Sequence, residues 1–288
     1  MKVDVAIVNA FVDGDYGGNP AGVVLNADAL TSTQKLKIAR QVGLSETAFV
    51  SASNAADFKL DFYTPQKQIA HCGHATIATF SYLSQLGMIP RPNTSKETVD
   101  GTRSIRVDGN FAYMEQLAPI YRPLEGDDDR VLESLDISPE VIISTPIIVN
   151  TGNAFLLAGV KDLATLNNLT PNQSLIEELS EKYDLIGYYI FTLETNLAGR
   201  DAATRMFAPR YGINEESATG MAAGPLACLL FDRLDFKQTE FIIEQGYSMP
   251  SPSPSCIDVT LSIENSAIKS LMAGGIGIAS RQMVIDIG

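Results

Sequence analysis

The chain has 288 residues, 45% of them hydrophobic and 19% charged, enough apolar material for one large domain or two of ordinary size. Its formal charge of −13 argues against a nucleic-acid partner, because nothing would neutralise the phosphates. No apolar run is long enough to span a membrane, and three cysteines without a CxxC pair fit neither a disulfide framework nor a zinc site. The composition reads as cytoplasmic, with reduced thiols.

Taken in order, MKVDVAIVNAFV is apolar and β-branched and predicts a strand over Val3–Val12, with no secretory-leader pattern. DGDYGGNPAG (13–22) is turn chemistry, and a second strand follows at VVLN. TSTQKLKIARQV (31–42) has helical spacing with Thr31 or Ser32 as N-cap. ETAFVSA and the alternating FKLDFYTP read as strands. Ala75–Leu86 is small and apolar on nearly every side, which predicts a helix buried all round. TRSIRVDGNFAYMEQ (102–116) predicts a hairpin turning at Asp108-Gly109. The charged, Pro-bearing passage Pro119–Asp129 reads as a domain linker.

Beyond it the order repeats. IIVNTGNAFLLAGV (147–160) echoes the start of the chain, 172–182 echoes the helix at 32–42, and LIGYYIFTL (185–193) echoes LSETAFV. TRMFAP (204–209) echoes DFYTP, and TGMAAGPLACLLFDRL (219–234) echoes CGHATIATFSYLSQL. These echoes predict an internal duplication: two βα-rich halves, each with an apolar central helix. Pro225 is placed in the first turns of the second helix, where its missing N–H matters least. FIIEQGYSMPSPSPSCIDVTLSIE predicts strand, loop and strand, and GGIGIASRQMVIDIG a closing hairpin.

Two copies of one unit would form a cleft suited to a small molecule, each aiming a helix N-terminus into it, at Gly73-His74 and at Thr219-Gly220. Unpaired N–H groups and the positive helix end would there receive a carboxylate. The copies differ in reactive groups: Glu46 has Gly187 opposite it, His74 has Met221, and the second copy offers Glu215 and Glu216 just before its helix. An acid with an auxiliary imidazole suits proton transfer on carbon. Each residue also has a bland reading. Glu46 fits a capped surface turn, His74 a helix residue bonded to a carbonyl, His71 a solvent or loop position, and Cys72 a small buried hydrophobe. Glu215 and Glu216 fit simple first-turn acids. A two-thiol racemase is disfavoured, because Cys72 would face Ser217 or Ala218.

NPAGVV (19–24), LSETAFV (44–50), FYTP (62–65), CGHATIA (72–78), TRMFAPRYGINEESATG (204–220) and EQGYSM (244–249) resemble the PhzF (phenazine-biosynthesis-like) family along nearly the whole chain. The resemblance implies an α/β (α+β) fold of the diaminopimelate-epimerase type. Two pseudosymmetric halves would each wrap a curved, mostly antiparallel sheet around a central apolar helix. The halves would be residues 1–118, completed by strands at 273–288, and 119–272. It implies cofactor-free isomerisation by proton transfer on a small carboxylate-bearing substrate, and a homodimer. Glu46 falls on the family's general acid/base and His74 on its motif histidine. Glu216 stands where the family has an aspartate, and Met221 where it has a serine facing the histidine. A longer acid moves its carboxylate by about 1 Å, so the phenazine-pathway substrate itself is in doubt. Asn19, Gly73, Ala75, Ser217, Thr219, Gly220 and Met221 are the expected substrate contacts; no metal or cofactor is expected. The alternatives are an epimerase using Cys72 and a non-catalytic binding protein of the same fold.

Overall fold

The computed structural model describes residues 1–288 as two units. One comprises Met1–Glu115 with Gly274–Gly288, and the other Gln116–Ala273.

The first unit opens with β1 (Lys2–Ala10) and β2 (Asn19–Val24), paired antiparallel. β2 begins inside the stretch expected to be a turn. Pro20 is tolerated there because it pairs only with Asn9 of β1, and the neighbour on the other side begins at Gly22. Helix α1 (Ser32–Val42) starts at the expected N-cap, where Thr31 and Gln34 form a reciprocal capping box, and ends at left-handed Gly43. β3 (Thr47–Ser51) then runs parallel to β2, and β4 (Phe58–Tyr63) antiparallel to β3. After the two-residue β5 (Gln68–Ile69) comes α2 (Gly73–Gln85), the apolar central helix. β6 (Asn93–Thr98) runs parallel to β4, and β7 (Gly101–Asp108) and β8 (Phe111–Leu117) form the hairpin at Asp108-Gly109.

Residues 74 to 81 and Leu83 of α2 are buried, against β1, β2, β3 and β7. Burying Thr76 and Thr79 costs little, because their hydroxyls donate to the carbonyls of Cys72 (2.6 Å) and Ala75 (2.7 Å) one turn back. Ile38, Ala39 and Val42 of α1 pack with Val5, Ile7, Val24, Phe49 and Tyr63. β1 is therefore covered on both faces over Val5–Val8, which is why those four residues read as a continuous apolar run.

The second unit repeats this series of pairings. Residues 119–129, expected to be a linker, hold β9 (Ile120–Pro123), paired with β10, and the start of α3 (Asp128–Leu135). β10 (Ile142–Asn150) and β11 (Ala154–Val160) are antiparallel, and the short α4 (Leu163–Asn167) and α5 (Gln173–Tyr183) follow. β12 (Gly187–Thr192) runs parallel to β11, and β13 (Ala202–Ala208) antiparallel to β12. β14 (Ile213–Glu216) leads into the central helix α6 (Gly220–Arg233). β15 (Glu240–Gln245) lies parallel to β13, as β6 does to β4, and β16 (Ser255–Glu264) is antiparallel to β15. The core of this unit joins Val131 and Leu135 of α3 to Ile176 and Leu179 of α5 and to Leu156, Tyr188 and Phe207 of the sheet. Pro225 is the sixth residue of α6, beyond the first turn, so the helix forgoes the bond from position 225 to the Met221 carbonyl.

The chain ends in one twenty-residue strand, β17 (Ala267–Asp286), and not in the expected hairpin. The turn lies earlier, at Asn265 and Ser266, both at positive φ between β16 and β17. Gly274 has an ordinary φ; a Cβ on it would stand 2.2 Å from the Ala112 carbonyl oxygen, so its smallness serves close approach to β8. β17 pairs with β1 from Lys2↔Asp286 to Ala10↔Gly277, and also with β8, which closes the first unit's sheet around α2. No helix is long and apolar enough to cross a membrane.

Candidate active site

Glu46 is held between two well-fixed elements. Gly43 ends α1 in the left-handed conformation, and β3 begins at Thr47, directly after Glu46, with the Glu46 carbonyl accepting from Gly22 N–H at 3.0 Å. Its side chain is 11% exposed and lies against His74, Oε2 to Nε2 at 3.2 Å. This is a buried position, and the capped-surface-turn reading is set aside. His74 is the second residue of α2, 5% exposed, and its Nδ1 stands 3.6 Å from Cys72 Sγ. One donor atom each of Glu46, Cys72 and His74 lies within 4.8 Å of the others. That span would also suit a metal ion, but burial pushes the Cys72 thiol up, with His74 lowering it and Glu46 raising it further. A thiol held up in this way is a poor base.

Cys72 is the N-cap of α2, and Gly73, His74 and Ala75 supply the helix's first N–H groups, the Ala75 N–H lying close enough to the Cys72 sulfur to lower its pKa. Asn19 is buried at the start of β2 in the same unit.

His71 does not face solvent as expected. It is half-buried, edge-on to Phe62, with Nδ1 3.2 Å from the Nζ of fully buried Lys96. Burial, with the charges of Lys96 and Arg103, drives its pKa far below the ordinary histidine value and keeps it neutral.

In the second unit the two adjacent acids part company. Arg205 binds Glu215 with two parallel bonds, Nε–Oε1 at 2.9 Å and Nη2–Oε2 at 2.8 Å. Glu216 accepts from the Thr219 hydroxyl at 2.5 Å, beside the start of α6. Gln245, on β15, ties this corner together. Its Oε1 accepts from Thr219 N–H (3.0 Å), and its Nε2 donates to the Glu216 carbonyl (2.7 Å) and to Thr219 Oγ1 (3.1 Å). Gln116 Nε2 donates to the Gly220 carbonyl at 2.9 Å. Ser217 and Thr219 are buried, and Met221 is half-buried with its sulfur 3.7 Å from Asn153 Nδ2. At Gly187, the counterpart of Glu46, a Cβ would meet the Phe207 carbonyl oxygen at 2.2 Å. The second unit has no room for an acid there.

The structure therefore gathers the sequence candidates into two clusters. Glu46, Cys72 and His74 lie in the first unit, and Glu216, Ser217, Thr219, Gly220 and Met221 in the second. Sequence reading missed Lys96, Thr76, Arg205 and Gln245 as supports. Thr76, Arg205 and Gln245 do lie inside the segments CGHATIA, TRMFAPRYGINEESATG and EQGYSM, whereas Lys96 left no trace.

Two units of one plan, each a sheet around a buried helix, with an acid against an imidazole at one helix's amino end, define an isomerase of the epimerase-like fold. Comparison with known proteins narrows this. The profile of the family described as phenazine biosynthesis-like protein, PhzC-PhzF, matches residues 8–279, and the chain belongs to that family. It is 34% identical over 257 residues to the trans-2,3-dihydro-3-hydroxyanthranilate isomerase of Pseudomonas chlororaphis, covering 86% of this chain and 87% of that one. It is 32% identical over 239 residues to an uncharacterized isomerase of Clostridium acetobutylicum, covering 80% and 79%. Among solved structures, a PhzF-family phenazine biosynthesis protein of Bacillus anthracis superposes with a TM-score of 0.88 at 26% identity, over the whole of both chains.

Proposed function

We propose that the protein moves a proton between two carbons of a small carboxylate-bearing substrate, with Glu46 as the general acid/base. The reading is carried by one observation, the buried Glu46 carboxylate 3.2 Å from His74 Nε2 at the amino end of α2. Glu46 removes a proton from an activated C–H and returns it to another carbon of the same molecule, so atoms and charge balance without an oxidant or a cofactor. His74 orients the carboxylate and hydrogen-bonds a polar group of the substrate. The N–H groups at Gly73 and Ala75 receive the substrate's carboxylate or the charge that develops on deprotonation. Glu216 acts as the second polar catalytic group. Ser217, Thr219 and Gly220 bind substrate through the start of α6, and Asn19 and Met221 line the site. Met221 in place of a hydroxyl makes that wall more apolar.

The substrate named for the Pseudomonas chlororaphis relative is the first to test, followed by a panel of cyclic and amino carboxylates in deuterated water. Wild-type protein should catalyse isomerisation with solvent exchange, and Glu46→Gln should abolish both. Undiminished turnover in Glu46→Gln would remove Glu46 from the mechanism. We also propose a cytoplasmic homodimer, which light scattering would reveal as twice the mass of one chain.

A further inference from the structure

Lys96 has no part in the mechanism above, yet it is the most unusual charge in the first unit. Its side chain, on β6, is fully buried with no carboxylate within ion-pair distance. The ammonium donates to Thr76 Oγ1 at 2.6 Å and to His71 Nδ1 at 3.2 Å, and lies 5.2 Å from the Phe62 ring centre. Thr76 in turn donates to the Cys72 carbonyl at 2.6 Å. A continuous chain thus runs from Lys96 through Thr76 to the N-cap of α2, the turn that presents His74. Such a lysine is costly to bury charged, and nothing in the fold repays it with a counter-ion. The second unit fastens its own helix start differently, with the neutral amide of Gln245 on β15.

We propose that Lys96 is a positioning residue of the site, whose ammonium fixes the first turn of α2 through Thr76 and adds positive charge behind the N–H groups that receive the substrate's anion. This rests on the proposed role of that helix end. The groups around Lys96 are His71 and Cys72 before α2, Thr76 on α2, Phe62 on β4, Arg103 on β7, and Asp100 in the turn after β6. Burial, opposed by Cys72 and reinforced by Arg103, pulls Lys96 down to about 7, so its charge changes near neutral pH.

The chain has only two histidines, both attached to this network. Ring-labelled histidine therefore gives two NMR reporters, assigned with His71→Gln. Titrated from about pH 5 to about pH 9, the His71 ring should remain neutral while the signals of both rings step together at the Lys96 midpoint. Lys96→Arg keeps the charge and removes the titration, so the common step should vanish. Thr76→Val should leave the His71 step and diminish that of His74. Absence of the His71 step, its persistence in Lys96→Arg, or a wild-type His74 ring blind to it would each overturn the proposal. Turnover plays no part in this readout, so its failure and a failure of the Glu46 assignment are told apart.

Discussion

Glu215 and Glu216 are adjacent and chemically alike, yet they should fail in opposite ways. Glu215 and Arg205 form a bidentate pair with side chains 12% and 7% exposed. Breaking a buried pair costs about 3–5 kcal/mol when one charge is left uncompensated. Glu215→Gln keeps one acceptor oxygen, and Arg205 Nη1 retains the carbonyls of Leu166 and Leu169 at 3.1 and 3.2 Å. The expected loss is therefore about 2–3 kcal/mol, or roughly 4–12 °C in melting temperature for a unit of this size. Catalysed exchange by the folded fraction should stay within about threefold of wild type. Glu216→Gln keeps an acceptor for the Thr219 hydroxyl and should cost under about 1 kcal/mol, while slowing turnover by at least about a hundredfold. Urea titration and solvent-exchange NMR on the two variants decide the matter. The reasoning fails if Glu215→Gln is stable and inactive, or Glu216→Gln unstable and active.

Cys72→Ala should lower exchange by less than about tenfold, because a buried, protonated thiol is a poor base; complete loss would favour a Cys72 epimerase instead. Gly274→Ala drives a Cβ to 2.2 Å from the Ala112 carbonyl and should cost about 1–3 kcal/mol in urea denaturation. The pH dependence of stability has two signed contributions. His71 is neutral when folded but binds a proton near pH 6.5 when unfolded, so stability is lost as pH falls below that value; His71→Gln should flatten this acid limb. Lys96 titrates at about 7 when folded and at 10.5 when unfolded. The unfolded chain then holds the extra proton, so stability rises with pH between those values, and Lys96→Met should remove the rise.

The elements with strong local signals were legible in the sequence. Thr31 or Ser32 as N-cap, with the helical spacing behind it, announced α1, and the small apolar run after Cys72 announced a helix buried on every side. β6 was not legible, because its inward residues are Thr94, Lys96 and Thr98, and a strand whose buried face is polar shows no hydrophobic alternation. Gly274-Gly275 looked like a turn because composition cannot separate a glycine needed for its φ from one needed for close approach. The split between Glu215 and Glu216 arises because neighbours on a strand point to opposite faces, and the sequence gives no way to know that Arg205 waits on one side. Glu46 and His74 were singled out by residue type and family resemblance; their 3.2 Å approach required the fold.

The central claim is that one carboxylate both takes and returns the proton. A substrate deuterated at the carbon that loses its hydrogen, converted in ordinary water, tests it directly. The account predicts part of the deuterium at the receiving carbon of the product with wild-type protein, and neither transfer nor turnover with Glu46→Gln. Equal transfer in wild type and Glu46→Gln would contradict it.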